Sequence, residues 1–134
     1  MPKLGIDSGK LSPCPDTPNC VSSQASDEKF IEPVLIPASP DDAPDIVRDI
    51  ILKVLDEFSR VKVVEAKANY IHAEFTSLVF RFVDDVEFYF PTVESGVVLV
   101  DIRSSSRVGK SDLGVNRKRM ESIRKKIADA VQGD

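Results

Sequence analysis

The sequence has one histidine, His72, and two cysteines, Cys14 and Cys20. So small a stock of nitrogen and sulfur ligands excludes a four-ligand structural zinc site unless carboxylates join it. No motif surrounds His72, so no Ser-His-Asp arrangement can be drawn on it, and the alternation around it predicts an exposed strand face. Neither cysteine has a cationic neighbour in sequence to lower its pKa, which speaks against a catalytic or redox-sensing thiol. No apolar run approaches the roughly 20 residues that a membrane-spanning helix needs. The first ten residues, MPKLGIDSGK, contain no apolar segment of the kind a secretory signal carries. The expectation is a soluble, cytoplasmic protein. In a reducing cytoplasm Cys14 and Cys20 are expected to remain thiols, although Pro15 and Pro18 pre-bend the chain for a short disulfide loop.

What is present reads as one globular domain. The chain has 134 residues, 42% apolar and 30% charged, which is enough to bury a core and too apolar for disorder. There is no internal repeat or low-complexity tract. Net charge is −4, unevenly spread: nine Lys/Arg against Asp112 and Glu121 give +7 between Arg103 and Lys126, leaving −11 elsewhere. Such asymmetry arises when a basic helix folds on an acidic body, and also marks surfaces for anionic partners. The pI near 5.1, with no aromatics interleaved among the basic residues, speaks against nucleic acid.

Residues 1–29, rich in Pro, Ser, Asp and Gly, form an extended arm preceding a single domain over residues 30–134. Residues 31–36 (IEPVLI) read as a strand, at an edge because of Pro33. Ile46, Val47, Ile50, Ile51, Val54, Leu55 and Phe58 make the apolar stripe of a helix, capped at Ser39 or at Asp42. Four strands follow: Val61–Lys67, Tyr70–Thr76, Leu78–Phe90 and Val97–Arg103. In the third, Asp84-Asp85 is a turn, a bulge or a polar break; in the last, Asp101 and Arg103 point outward. A final helix runs from about Asp112 or Leu113 to Val131. Its stripe of Leu113, Met120, Ile123, Ile127, Ala130 and Val131 has a gap at Asn116 or Arg117, where a polar residue must find a partner. Short connections force antiparallel neighbours. The predicted fold is α+β, an antiparallel sheet with two helices on one face, in the order β-α-β-β-β-β-α.

Two segments are unusually polar: Phe82–Phe88, with Asp84, Asp85 and Glu87, and Asp101–Arg117, a hydroxyl- and cation-rich loop entering the last helix. In one reading Asp84, Asp85 and Glu87 pair with Arg103, Arg107 and Arg117, and the serines cap the loop. In another, Ser104 to Ser106, Arg107 and backbone N–H groups at the helix start cradle a phosphate or carboxylate. A hard cation held by the three acids is a third. The run RVGKSDLG lacks the first glycine of a phosphate-binding loop, which excludes nucleotide hydrolysis of that type. The candidate ligand-binding residues are therefore Asp84, Asp85, Glu87, Arg103, Ser104, Ser106, Arg107, Asn116 and Arg117, with the pair Cys14 and Cys20 beside them. No cofactor is expected, and the partner is a small anion or an acidic protein surface. A non-enzymatic binding or scaffold domain comes first, an enzyme using the acids and arginines second.

Three stretches together resemble one family. L-x-P-C-P-x-x-P-N-C-V-S-S at Leu11–Ser23, F-V-D-D-V-E-F at Phe82–Phe88 and R-S-x-S-R-V-G-x-S-D-L-G-V-N-R-x-R at Arg103–Arg119 are similar to those of the bacterial and plastid family named domain of unknown function 1499. The resemblance implies a domain type and no established reaction. Relatives located in the cell envelope or plastid would favour oxidation of Cys14 and Cys20. Because the motifs fall on the polar segments and the cysteine arm, the three pieces are expected to meet in space.

Overall fold

A computed structural model of the chain describes residues 4–16, 19–79, 81–91, 93–108 and 114–132. The alternation of Tyr70–Thr76 becomes a strand, β6, between β5 (Val61–Ala66) and β7 (Val83–Tyr89). The longest strand, β9 (Val97–Ser106), pairs with β7 through Asp84↔Ser106 to Tyr89↔Asp101. Its other edge is shared by two short strands: β3 (Cys20–Ser22) on the C-terminal half and β4 (Val34–Pro37) on the N-terminal half. A two-residue β8 (Val93–Glu94) closes a hairpin onto the start of β9. Every pairing between these strands is antiparallel, and the main path runs β3-β9-β7-β6-β5.

Helices α1 (Asp45–Leu55) and α2 (Val115–Gln132) share one apolar core with the sheet. From α1 come Val47, Ile51, Val54 and Leu55; from α2, Met120, Ile123 and Ile127; from the sheet, Ile71, Ala73, Val86, Phe88, Val100 and Ile102. Burying each large side chain stabilises by about 1.5–3 kcal/mol relative to exposure, so the stripes and the strand parity fix which way each element faces. The expected α+β architecture is observed and the expected elements come in the expected order, with further strands from the arm and the short β8 ahead of β9. There β1 (Ile6–Asp7) and β2 (Lys10–Leu11) form a ribbon, and β3 joins the main sheet. Two hairpins turn on the same chemistry. Ser8-Gly9 and Ser95-Gly96 both place two consecutive residues at positive φ, as a tight two-residue hairpin requires.

Local boundaries differ from expectation: the first strand spans Val34–Pro37 rather than 31–36, and the last runs on to Ser106 rather than ending at Arg103. The third long strand begins at Val83 rather than Leu78: Leu78, Val79, Arg81 and Phe82 belong to the turn from β6, and Arg81 sits at φ 58°. Phe80 lies outside the described residues. Asp84-Asp85 is neither turn nor bulge but part of β7; the register shift lies in β5, between Val63 and Glu65. Helix α1 starts after Pro44 with no side-chain cap, while the Ser39 hydroxyl accepts from the Asp42 N–H in the preceding turn. The expected start of the last helix, 112–113, lies outside the described residues.

Candidate functional site

Strand parity sends the acids of β7 to opposite sides of the sheet. Asp84 shares the helix-facing parity of Val86 and Phe88, and its carboxylate meets Arg119 of α2 at 2.8 Å. The Arg119 guanidinium also lies 5.0 Å from the centre of the Phe75 ring, so the acid beside the core is neutralised and its partner is held by an aromatic face. Next to it, Asn116 fills the predicted polar gap in the α2 stripe. It is fully buried; its Nδ2 donates to the Asn19 carbonyl (3.1 Å) and the Ser106 hydroxyl (2.9 Å), and its Oδ1 accepts from the Ser104 hydroxyl (2.5 Å). One amide thus ties helix, central strand and arm.

Asp85 and Glu87 face the other way, where the arm rather than solvent covers the sheet. Glu87, 0% exposed, accepts from the Tyr70 hydroxyl (2.5 Å), the Gly5 N–H (2.8 Å) and Arg103 (3.3 Å). Arg103, 1% exposed, also donates to the Ser105 hydroxyl (2.9 Å) and the Pro13 carbonyl (3.3 Å). The outward parity predicted for Arg103 holds, but outward here means beneath the arm. The expected exposure of His72 is also overturned: it is buried against Asp85 at 2.7 Å. Arg107 grips Asp85 with two bonds, Nε to Oδ2 at 2.8 Å and Nη2 to Oδ1 at 2.9 Å, and reaches Glu74 at 2.6 Å.

These contacts set the charges. Burial by itself raises the Asp85 carboxyl, but hydrogen bonds from His72 and Arg107 outweigh it and hold the group at about 2. The hydrogen bond to Asp85 raises His72 above its ordinary value, against the opposing effect of burial. Burial, then the Glu87 carboxylate, pushes the Tyr70 phenol up, so Tyr70 stays protonated and donates. The bond to Asp85 chiefly raises Arg107 further.

The three-acid cation site expected from sequence does not assemble, since Asp84 lies across the sheet from Asp85 and Glu87. A different trio converges: His72, Glu74 and Asp85 each offer an atom within 4.8 Å of the others. The positive charge bound to both carboxylates is the Arg107 guanidinium. The other candidates are likewise divided by the sheet. Ser104 and Ser106 bond Asn116 on the helix side, Arg103 and Arg107 bind acids on the arm side, and Arg117 donates to the Glu28 carbonyl at the surface. Residues 109–113, which carry the rest of the expected cradle, lie outside the described residues.

Cys14 and Cys20 form a disulfide, in place of the expected thiols, with Cα atoms 5.7 Å apart. Cys20 on β3 is paired with Ser105 of β9, so the bond fastens the arm to the sheet beside Arg103. As expected, the cysteine arm and the two polar segments meet. Two clefts flank the arm at Lys10–Pro13. One of about 340 Å³ is lined by Lys10, Ser12, Ser22, Gln24 and Lys29 among others; the second, about 360 Å³, by Asp7, Lys10, Leu11, Ser12, Pro13, Pro15 and Arg103. Two residues lining the second cleft, Ser12 and Arg103, each have a buried polar atom, the hydroxyl and the Nε, with no hydrogen-bond partner among the described residues. Sequence reasoning does not single out Ser12, Lys10, Glu74, His72, Tyr70 or Arg119 as site residues. The strand alternation around Tyr70–Glu74 carries a signal for three of them, once that face is known to be covered, by the arm at Tyr70 and by Asp85 and Arg107 at His72 and Glu74.

Residues 10–127 match the sequence model of a family described as a protein of unknown function, DUF1499. No curated protein matches the chain. Among solved structures, the crystal structure of TTHA0849 from Thermus thermophilus aligns with a TM-score of 0.37 at 11% identity, covering 85% of this chain and 92% of that one.

Proposed function

Since the chain belongs to the DUF1499 family of unknown function, its role must come from its own geometry, and we propose a non-enzymatic binding domain that takes a small anion beneath its arm. The carrying observation is that a buried arginine lines a cleft with one donor unused. Arg103 spends its terminal nitrogens on Glu87, Ser105 and Pro13, while its Nε–H and the Ser12 hydroxyl are unmatched among the described residues. Unmatched buried donors are costly, and a bound oxyanion or ordered water relieves them. Lys10 lines the same cleft, and Leu11, Pro13 and Pro15 supply apolar walls. The ligand class that fits is a small carboxylate or phosphate, with room for a short apolar group. Glu87, Tyr70 and Ser105 hold Arg103 in place rather than touching ligand.

Binding rather than catalysis is supported by the acids: Asp85 is held low by its partners, which makes it a poor general base at neutral pH. A second reading, metal-assisted chemistry at His72, Glu74 and Asp85, is favoured by their convergence and requires Arg107 to leave. The Cys14–Cys20 bond supports an oxidising location, the envelope or plastid alternative, over the cytoplasm.

The test is thermal unfolding with phosphate, acetate, butyrate and citrate on wild type, Lys10→Ala and Arg103→Lys. An anion at about a hundred times its dissociation constant stabilises the native state by roughly 2.7 kcal/mol. Lys10→Ala, at an exposed position, should keep the ligand-free midpoint and lose most of the shift. No shift of wild type with any of these anions sinks the reading.

A further inference from the structure

The turn joining β6 to β7 carries its apolar side chains outward. Leu78 is 64% exposed, Val79 76% and Phe82 51%. Exposed apolar residues scattered singly need no explanation, but these three lie within one short turn. The turn is closed at its base: the Ser77 N–H donates to the Phe82 carbonyl and the Phe82 N–H to the Ser77 hydroxyl, both at 2.9 Å. Val108, 55% exposed, follows Arg107, whose backbone N–H donates to the Val83 carbonyl beside that base. One end of the sheet is thus apolar at its tip.

Its shoulder is cationic. Arg81 lies in the turn, and the Arg60 Nε donates to the Thr76 carbonyl at 3.1 Å. No acid occurs from Ser77 to Val83. The acids on the flanking strands are already matched, Glu74 and Asp85 by Arg107 and Asp84 by Arg119. An exposed apolar turn flanked by two arginines is complementary to a deformable apolar phase with anionic headgroups. We propose that this tip docks the protein peripherally on an anionic lipid bilayer, with Leu78, Val79 and Phe82 entering the interface and Arg60 and Arg81 meeting headgroup phosphates. Among the described residues no helix is long and apolar enough to cross a membrane. The docking surface is independent of the cleft at Arg103.

The experiment is co-sedimentation with vesicles of phosphatidylcholine alone and of phosphatidylcholine mixed with phosphatidylglycerol. Wild type should sediment with the mixed vesicles, less so as salt rises, and stay in solution with the neutral ones. Leu78→Ser/Val79→Ser and, separately, Arg81→Glu should each weaken partitioning about tenfold or more, with unchanged unfolding midpoints. The chain has no tryptophan, so Val79→Trp gives a single indole, excited selectively beyond the tyrosines, whose emission should shift to the blue on the mixed vesicles. Absence of sedimentation with the mixed vesicles, or equal sedimentation of the tip variants, overturns the proposal and leaves the tip to a protein partner.

Discussion

Glu87 and Arg103 stand directly opposite each other on β7 and β9, both buried, and each also takes a bond from or gives one to the arm, at Gly5 and Pro13. A charge pair sealed this way is sensitive to loss of one member, because the survivor stays desolvated without its counter-charge. Arg103→Met or Glu87→Leu alone should destabilise by about 3–5 kcal/mol in denaturant unfolding. The double variant should recover much of that loss. If the single and double variants fall equally, the pair is not the unit that matters.

Stability should depend on pH through His72 and Asp85. Asp85 lies at about 2 in the fold against an ordinary 3.8, so its contribution, about 2 kcal/mol, is present above 3.8 and lost as pH falls through 2. His72 is raised above 6.5, so its contribution is full below 6.5 and lost as pH rises through the folded value. The two shifts share the His72–Asp85 contact, to which Arg107 adds on the Asp85 side, so they do not simply add. Denaturant midpoints should therefore be highest between about 4 and 6.5 and decline above neutrality. In His72→Gln that alkaline decline should flatten, and a wild-type curve flat from about 5 to about 9 would contradict the assignment.

The disulfide closes a loop of six-residue separation. On the loop-entropy relation such a closure stabilises by about 2 kcal/mol. Cys14→Ser/Cys20→Ser should lower the unfolding free energy by about that amount, and native wild type should yield no titratable thiol. Amide exchange should quicken first at Leu11 and Cys20, where the arm meets the sheet, and less in β6 and β7.

Asn116→Leu should cost about 1–3 kcal/mol, because the Ser104 and Ser106 hydroxyls and the Asn19 carbonyl lose their shared partner. Equilibrium unfolding measures it; a neutral outcome would mean water replaces the amide.

Arg107→Ala removes the cation that joins Asp85 and Glu74. Two outcomes follow together: lower stability without metal, and restoration by zinc or manganese at the uncovered His72, Glu74 and Asp85. Calorimetric titration should find one metal site in the variant and none at this position in wild type.

The helix-facing half of the protein is legible in sequence. The α1 stripe, the parity of β6 and β9 and the gap at Asn116 each depend on neighbours a few residues apart, which periodicity reports. The opposite face is not. Tyr70 and Arg103 alternate like surface residues, and only a long-range event, the arm folding back across 82 positions from Gly5 to Glu87, buries them; His72 alternates likewise and is buried against Asp85 of the neighbouring strand. Asp84 illustrates a subtler limit: its parity is visible, but its partner Arg119 is not, because the helix phase relative to the sheet is a tertiary quantity. The turn at 78–82 reads as strand because its apolar, aromatic composition mimics one; the left-handed Arg81 leaves no trace in residue type.

The register shift in β5 has a bearing on how the molecule tolerates its own kind. Among the described residues β5 is paired only with β6, and it exposes Val63 and Val64 on a strand of high β-propensity. An unbroken row of free peptide groups there would template a second copy. The shift between Val63 and Glu65 spoils the even spacing that such a template needs, and Lys62, Glu65 and Lys67 place charge along the same strand and its end. An irregularity in pairing of this kind disfavours edge-to-edge polymerisation.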